Sequence, residues 1–522
     1  MSVVENSVIG RWVLALCALL YRWYDGSLLA AGLRRFGRGC RSAWMGSAFG
    51  RSCRNSAGLK WLCREGALSR AWPNSLLCRG LTTLISLPTI ILQAIYRPLR
   101  SVVEGSVFAR LFLGMAEQTP LLVGWVMLAV MVVPYEAWNN AYSLAGFALC
   151  LFLTVFAGVR KPDFRLSLAS VGPWLMAFAG MVVLAWYLSI DRSESTRHLS
   201  FHLTCMLCVL VLVTTLERRE QLVRLLEMAS LAMLVISLYG FWQRIQGIEV
   251  NPSYVDLTVN RGMPGRVFSF FENPNACGEV LLLLLPLAFA LILCGGWGGR
   301  LLGLLSFGAG GMAIAMTYSR ASWIGLVVAA FLFVLLWNKR IIPVALIVAV
   351  IGCFFLPSTV TNRFLTIFNT SDTSTASRFP YYQAAWDFIK TQPFLGAGLG
   401  AEQVRTVIED RDLFHGVDVF VHCHNTYLQI WCEMGFFGLV TFVAGLLWTI
   451  RRGIDSVRTA LCSSQTRIAV IGGTSALLGA MVCGLADYLW NYPRVMLIFW
   501  FVVGVALAGI RLAAREANGE TA

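Results

Sequence analysis

Long apolar runs constrain this chain more than any other feature. From residue 118 onward about twelve runs follow one another, each about 17–25 residues long, the length that an α-helix needs to cross a bilayer. Their approximate intervals are 118–134, 141–158, 168–190, 198–215, 225–244, 276–294, 301–318, 321–337, 341–357, 426–450, 467–486 and 494–510. Only 13% of the 522 residues are charged, against about 25% in soluble proteins. The sequence predicts an all-α polytopic membrane protein with about 12 transmembrane helices.

The connections between these runs differ in charge in a regular alternation. One set contains the basic pairs Arg160-Lys161, Arg218-Arg219, Lys339-Arg340 and Arg451-Arg452. The opposite set carries about as many acidic as basic residues. Basic connections mark the cytoplasmic side, so we expect both termini in the cytoplasm. Two long segments, about 245–275 and 358–425, then lie outside, and the second is expected to form a cap of short helices.

The first 117 residues have a different character. They contain 14 Arg and one Lys against five acidic residues, and so hold most of the formal charge of +14. Apolar stretches at 12–20 and 81–96 are short and flanked by Arg. This pattern predicts a basic arm at the inner membrane surface, attracted to anionic lipids. Nucleic acid is a poorer fit, because the basic residues are spread among Trp and Leu. The expected organisation is an arm at 1–117, a transmembrane domain at 118–510 and a cytoplasmic tail at 511–522.

Charged groups on the outward side are the candidates for chemistry. Arg266 precedes the segment Glu-Asn-Pro-Asn275 and the sixth span. Asn favours helix capping, and an Arg above a helix N-terminus attracts anions; a capping turn with a surface Arg is the alternative. Glu279 and Asp487 lie at outward helix ends, where we expect each to pair with an arginine.

Two further arginines follow in outward turns. Arg320 sits in the very short connection after the seventh span, where it either snorkels to headgroups or binds phosphate with both guanidinium nitrogens. Arg378 precedes a glycine series, Gly396-x-Gly398-x-Gly400. These glycines let backbone approach something closely, but they lack the strand and helix context of a nucleotide-binding loop.

Two of the five histidines end the long outward segment. His424 is suited to act as a general base near neutral pH, and His422 and Asn425 are its neighbours. A His-x-His pair suggests a metal site, but no third ligand has a convincing spacing, so no metal is predicted. Glu433 lies nine residues after His424, inside the tenth span, where a carboxylate needs a partner or a proton. It either supports this site or only bonds a neighbouring helix.

Taken in order, these pieces resemble the O-antigen ligase and O-antigen polymerase superfamily of bacterial membrane proteins. The resemblance covers roughly residues 118–510. It rests on the segments Arg266…Asn273-Pro274-Asn275, Ser319-Arg320, Arg378…Pro393…Gly396-x-Gly398 and His424-Asn425…Glu433-x-Gly435-x-x-Gly438.

The resemblance implies a polytopic glycosyltransferase of the bacterial inner membrane that assembles cell-surface polysaccharide. Its donor would be a glycan on undecaprenyl diphosphate, and its acceptor a glycan or a lipid core. The transfer would be inverting and metal-independent, would need no cofactor, and would take place on the outer side. His424 would act as the base. Arg266, Arg320 and, as a weaker match, Arg378 would bind the diphosphate. His422, Asn425, Glu433 and Asn275 would support them.

Two other classes of protein remain open at this point. A multi-pass transporter or flippase would fit the number of spans, although we see no internal repeat and the candidate residues gather on one face. A non-enzymatic assembly protein that works through its basic arm is the other alternative.

Overall fold

The computed structural model describes residues 67–251, 262–354, 357–365, 378–416, 419–459 and 461–520, with scattered positions between 15 and 47. Within these ranges the chain consists of α-helices, short 3-10 turns and loops, without a strand. The predicted all-α class is confirmed. The apolar stretch predicted at 12–20 lies largely outside the described residues.

We number the helices of eight residues or more in chain order. The first half of the chain forms α1 (Leu76–Gly105), α2 (Val107–Ala116), α3 (Thr119–Val132), α4 (Asn140–Ala157), α5 (Pro173–Tyr187), α6 (Arg192–Thr215) and α7 (Arg219–Gln246). The second half forms α8 (Pro274–Cys294), α9 (Trp297–Met316), α10 (Arg320–Asn338), α11 (Ile342–Phe354), α12 (Ser358–Leu365), α13 (Arg378–Thr391), α14 (Ala401–Asp410), α15 (Thr426–Thr459), α16 (Ser464–Cys483) and α17 (Pro493–Ala517). Shorter helical turns lie at Ala67–Ala71, Trp72–Asn74, Tyr135–Ala137, Leu168–Val171 and Lys339–Ile341.

Each of the twelve predicted intervals contains a helix, but the count of twelve spans is not confirmed. By length and composition, the described residues contain ten helices able to cross a membrane, or eleven if α2 and α3, bent by 62° relative to each other, form one span. The count includes α1, and it takes Arg320–Gly352 as a single span. With 15 residues, α5 is too short to pass the same test. The structure is therefore a multi-pass membrane protein with fewer clear spans than predicted.

The helices pack around α8, α16 and α17, which are the most enclosed. Small residues allow their close approach, as is common between membrane helices. A Cβ on Gly479 of α16 would lie 2.6 Å from the carbonyl oxygen of Gly325 on α10. This contact brings the beginning of α10 close to the end of α16.

A buried arginine fixes the loop that leads into α8. Arg494, at the beginning of α17, is 6% exposed. Its guanidinium donates to the carbonyl oxygens of Val130 and Phe270, and it stacks on the rings of Trp138 and Phe271, each 5.2 Å from its central carbon. The end of α3 and the beginnings of α8 and α17 are thereby joined at one end of the bundle.

The segment between 358 and 425, predicted to be a cap, contains a group of short helices in its described residues. Helices α13 and α14 share a small apolar core with the loop before α15, centred on Phe388, Val404 and Phe420. Helix α12 packs separately, with Val360 against Tyr318.

Candidate active site

Arg266 lies beside the N-terminus of α8 and contacts the turn between α9 and α10. Its Nε donates to the carbonyl oxygen of Thr317 at 2.7 Å, and its Nη2 donates to the Oδ1 of Asn275. Asn273 caps α8, because its Oδ1 accepts from the backbone N–H of Asn275 at 2.7 Å. Arg266 and Asn275, both predicted site residues, are thus in direct contact.

Arg320 is the first residue of α10, in the turn that Arg266 contacts. The Oγ atoms of Ser319 and Ser322 in this turn are 3.0 Å apart. A Cβ on Gly278 of α8 would lie only 2.8 Å from the Oγ of Ser322, so α8 packs tightly against the turn. Two arginines and the N-termini of α8 and α10 therefore lie in one region, an arrangement that attracts anions.

His424 has a left-handed backbone conformation, with φ of 46°, which is uncommon for a residue other than glycine. Its backbone N–H donates to the Nδ1 of His422 at 3.1 Å, and the two imidazole centres are 4.2 Å apart. The ring of Tyr381 meets His424 edge-on at 5.0 Å. The buried Nδ1 of His424 has no hydrogen-bond partner in the described part of the chain.

His422 and Asn425 hold the backbone on either side of His424. The Nδ1 of His422 accepts a backbone hydrogen bond, and burial, together with the neighbouring His424, holds the pKa of His422 well below its ordinary value. Asn425 caps α15, since its Oδ1 accepts from the N–H groups of Tyr427 and Leu428 at 2.9 and 3.0 Å. Its Nδ2 donates to the carbonyl oxygen of Leu485 at 2.9 Å. Both residues therefore have contacts that suit the predicted supporting role.

Burial and two charged residues determine the pKa of His424. Burial lowers the pKa of His424, the carboxylate of Asp487 acts in the opposite direction, and the guanidinium of Arg378 lowers it further. Arg378 begins α13, and one helical turn later the hydroxyl of Tyr382 donates to the carbonyl oxygen of His424 at 3.4 Å. The guanidinium of Arg378 and the carboxylate of Asp487 therefore act on the imidazole of His424 in opposite directions.

The prediction that Asp487 pairs with an arginine is wrong. Within the described residues it does not pair with an arginine: its Oδ1 accepts from the N–H of Tyr488 at 2.9 Å, and its buried Oδ2 has no hydrogen-bond partner. Its backbone carbonyl accepts from the N–H and the Oγ1 of Thr426, at 3.1 and 2.9 Å. These bonds hold Asp487 beside Thr426, the first residue of α15. Thr426 follows His424 by two residues.

Glu433 has two hydrogen-bonding partners inside the bundle. Its Oε1 accepts from the Nε2 of Gln429 at 2.8 Å and from the hydroxyl of Tyr488 at 3.0 Å. Tyr488 also packs against the imidazole of His422, with ring centres 5.6 Å apart. Glu433 is thus linked to His422 through one intervening side chain, Tyr488.

The glycine series fits against α15 directly below this carboxylate. The N–H of Ala397 donates to the carbonyl oxygen of Cys432 at 2.8 Å, and that of Gly398 to the carbonyl oxygen of Glu433 at 3.1 Å. Helix α15 is interrupted at Gly435, where φ is 73°. A Cβ on Gly396 would lie 2.1 Å from the carbonyl oxygen of Glu433. For Gly396 the expected close backbone approach is therefore an approach to α15, whereas a Cβ on Gly398 or Gly400 would meet Ser189 or His198.

Helices α8 and α16 connect the arginine region to the histidine region. The Oγ of Ser322 lies 4.0 Å from the Sγ of Cys483, at the end of α16. The carboxyl of Glu279, one residue after Gly278, is 3% exposed and within electrostatic reach of Asp487. The predicted site residues therefore lie on one side of the bundle, along a continuous set of contacts.

A cavity of about 670 Å³ opens on the Arg266 side of this region. Its walls include Tyr135, Trp242, Gln246 and Glu272. Aromatic rings beside amide and carboxylate groups offer apolar faces and hydrogen-bonding partners together.

The described residues contain no group of three or more His, Cys, Asp or Glu side chains arranged to hold a metal ion. The Nδ1 of His422 is already engaged by a backbone N–H. Of the cysteines whose side chains the structure describes, all but Cys462 are buried, and none is in a disulfide.

The family model described as O-antigen ligase matches residues 303–443, from α9 into α15, and so includes Arg320, Arg378, His424 and Glu433. Arg266 and Asn275 precede the matched segment. No curated protein sequence matches the chain. The chain thus contains an O-antigen ligase domain, and the superfamily that its motifs resemble is confirmed.

Proposed function

We propose that this protein is a glycosyltransferase that moves a glycan from a lipid diphosphate to an acceptor hydroxyl. The reaction takes place on the outer side of the bacterial inner membrane. The carrier would be undecaprenyl diphosphate, and the product a cell-surface polysaccharide. The observation that carries the proposal is the position of His424, within electrostatic reach of Arg378 and Asp487 and linked through α8 and α16 to Arg266 and Arg320.

The proposed reaction is a single displacement at the anomeric carbon. The imidazole of His424 takes the proton from the acceptor hydroxyl as its oxygen attacks, and Asp487 stabilises the imidazolium that forms. The bond between the anomeric carbon and the diphosphate oxygen breaks, and the electron pair leaves with the lipid diphosphate. Arg266, Arg320 and Arg378 stabilise the negative charge of this leaving group. One displacement inverts the anomeric configuration.

The supporting residues act on the geometry of this reaction. Asn275 orients Arg266, Asn425 fixes the beginning of α15, and His422 holds the backbone of His424. Glu433 positions Tyr488, which contacts His422. The cavity beside Arg266, with its aromatic and hydrogen-bonding walls, suits the sugar residues of the donor.

Sidedness follows from charge. The basic pairs Arg160-Lys161, Arg218-Arg219 and Arg451-Arg452 lie at the end of the bundle opposite to His424, a charge distribution that supports an outward His424 and cytoplasmic termini.

The direct test uses purified full-length protein, a lipid diphosphate-linked oligosaccharide and either a lipid-core acceptor or a second donor. We expect a new glycosidic bond, with one addition indicating a ligase and a growing chain indicating a polymerase. Substituting His424→Ala should reduce the rate by about 10²–10⁴-fold, and Arg266→Gln and Arg320→Gln should each reduce it strongly. Arg405→Gln, on the exposed side of α14, is the matched control. Full activity in the three site variants would refute the proposal.

A further inference from the structure

Helix α1 is long and apolar enough to cross a membrane, but its contacts do not permit this. The Nε1 of Trp72, just before α1, donates to the carbonyl oxygen of Leu168 at 3.2 Å. Near the other end, Glu104 forms an ion pair with Arg160 at 2.8 Å. Both partners belong to the basic connection between α4 and α5, residues 158–168, on one side of the bundle.

The middle of α1 contacts the same connection. The Oγ of Ser86 accepts from the N–H of Leu166 at 3.0 Å, and the Nε2 of Gln93 donates to the carbonyl oxygens of Gly158 and Lys161 at 2.9 and 2.7 Å. Ser86 and Glu104 are about 27 Å apart along a helix that rises 1.5 Å per residue. The connection along which α1 lies is irregular backbone with four charged residues, Arg160, Lys161, Asp163 and Arg165. Irregular backbone of this kind does not lie exposed in the hydrocarbon core of a bilayer, so α1 follows the connection along one side of the bundle.

The polar and apolar faces of α1 are arranged in the opposite way to those of a helix on the surface of a water-soluble protein. The face against the connection is polar, with Ser86, Thr89 and Gln93 buried. The opposite face is apolar and exposed, and includes Leu77, Leu84, Leu87, Ile91, Ile95 and Val102. A continuous exposed apolar stripe of this kind marks a surface that is covered in the working protein.

Charge identifies what covers this stripe. Arg79, Arg97 and Arg100 are exposed along the same helix, and no acidic residue of α1 is exposed to balance them. An apolar stripe flanked by arginines is the pattern of a helix that lies in the headgroup region of an anionic leaflet.

We propose that α1 is a membrane-surface helix on the basic side of the bundle, with its apolar stripe in the leaflet, its arginines on acidic phospholipid headgroups and its polar face holding the 158–168 connection. Acidic lipid therefore stabilises the connection between α4 and α5 through α1. This inference does not depend on the proposed reaction.

Two exposed positions on one flank of α1, Thr83 and Ser101, test its orientation. Thr83→Cys and Ser101→Cys are introduced separately into the full chain and labelled with a membrane-impermeant maleimide, and the unsubstituted chain gives the background. We expect both to react in inverted vesicles and neither in intact spheroplasts. Labelling of one from each side would establish α1 as a span and overturn the proposal.

The lipid is tested by thermal unfolding of the purified full-length protein in detergent, with phosphatidylglycerol or phosphatidylcholine added. We expect phosphatidylglycerol to raise Tm more than phosphatidylcholine, and the triple variant Arg79→Gln, Arg97→Gln, Arg100→Gln to lose most of that difference. The matched control removes three cations from the cap by Lys390→Gln, Arg405→Gln and Arg411→Gln, and should retain it. An equal response to the two lipids, an equal loss in the control, or a stripe covered by a second copy in a stable dimer would overturn the proposal.

Discussion

Gly325 and Gly479 face each other where α10 crosses α16, and a Cβ on either would lie 2.6 Å from the carbonyl oxygen of the other. The crossing lies one turn from Ser322 on α10 and one turn from Cys483 on α16. Because Arg320 begins α10 and Asp487 follows α16, the separation of the two helices here determines how closely the arginine and histidine regions approach.

We therefore expect Gly479→Ala to separate α10 from α16. Overpacking of this kind typically costs about 1–3 kcal/mol, so Tm should fall, and transfer activity should fall further than Tm alone explains. Thermal unfolding and the transfer assay measure the two effects. Gly311→Ala on α9 is the control, because a Cβ there meets nothing within 4 Å and should leave both quantities nearly unchanged. A normal Tm and rate for Gly479→Ala would contradict the argument.

The pH dependence of transfer should follow His424. The base must be neutral, so the rate rises with pH through the pKa of His424, which burial places below the ordinary value of about 6.5. Asp487 raises this pKa, so Asp487→Asn should move the acid limb of the pH–rate profile to lower pH. The same substitution should reduce the maximum rate roughly tenfold or more, because it removes a charge partner of the imidazolium. If the acid limb does not move in this variant, Asp487 does not influence the pKa of His424.

Arg378→Gln should move the acid limb in the opposite direction. The guanidinium lowers the pKa of His424, and its removal therefore shifts the limb to higher pH. If Arg378 also binds diphosphate, the KM for the lipid-linked donor should rise in this variant. The pH–rate profiles and KM values of wild type, Arg378→Gln and Arg378→Lys provide the measurement, and Arg378→Lys should keep the acid limb near its wild-type position. A shift of the acid limb to lower pH in Arg378→Gln would contradict this prediction.

Gly435→Ala should loosen the cap from α15. The φ of 73° at Gly435 costs an L-residue about 1–2 kcal/mol, and a Cβ there would lie 2.1 Å from the carbonyl oxygen of Phe394. We expect faster proteolysis of residues 378–416 in the variant, together with a strong loss of transfer. Gly311→Ala again serves as the control for a helical glycine with open space. Unchanged proteolysis would show that the kink tolerates a side chain.

Most of the fold could be predicted from the sequence because apolar length and loop charge act locally. The extent of α1 could not. Its apolar stretch at 81–96 appears short between arginines and contains Pro88, whereas the helix begins at Leu76, capped by the Oγ of Ser75, and continues to Gly105. What extends it is contact with a connection about 70 residues later, and no local pattern records that contact.

The candidate site shows the same division. His424 and the three arginines stand out because charged and titratable groups are rare on the outward side of this chain. Asp487 could be recognised as an outward carboxylate, but its partner could not, because a turn after α16 reaches His424 only through hydrogen bonds to Thr426. The left-handed backbone of His424 likewise depends on the Nδ1 of His422, an interaction that residue type alone does not indicate.

The interruption of α15 at Gly435 has a consequence for how substrates enter. There the glycine series and α15 are joined by successive backbone hydrogen bonds, from Ala397 to Cys432, from Gly398 to Glu433 and from Phe436 to Pro393. These hydrogen bonds make the cap and the first half of α15 a single rigid unit. The cap therefore cannot open by rotating at this position. For the proposed transfer we therefore expect the glycan to enter and leave at another side of the cap.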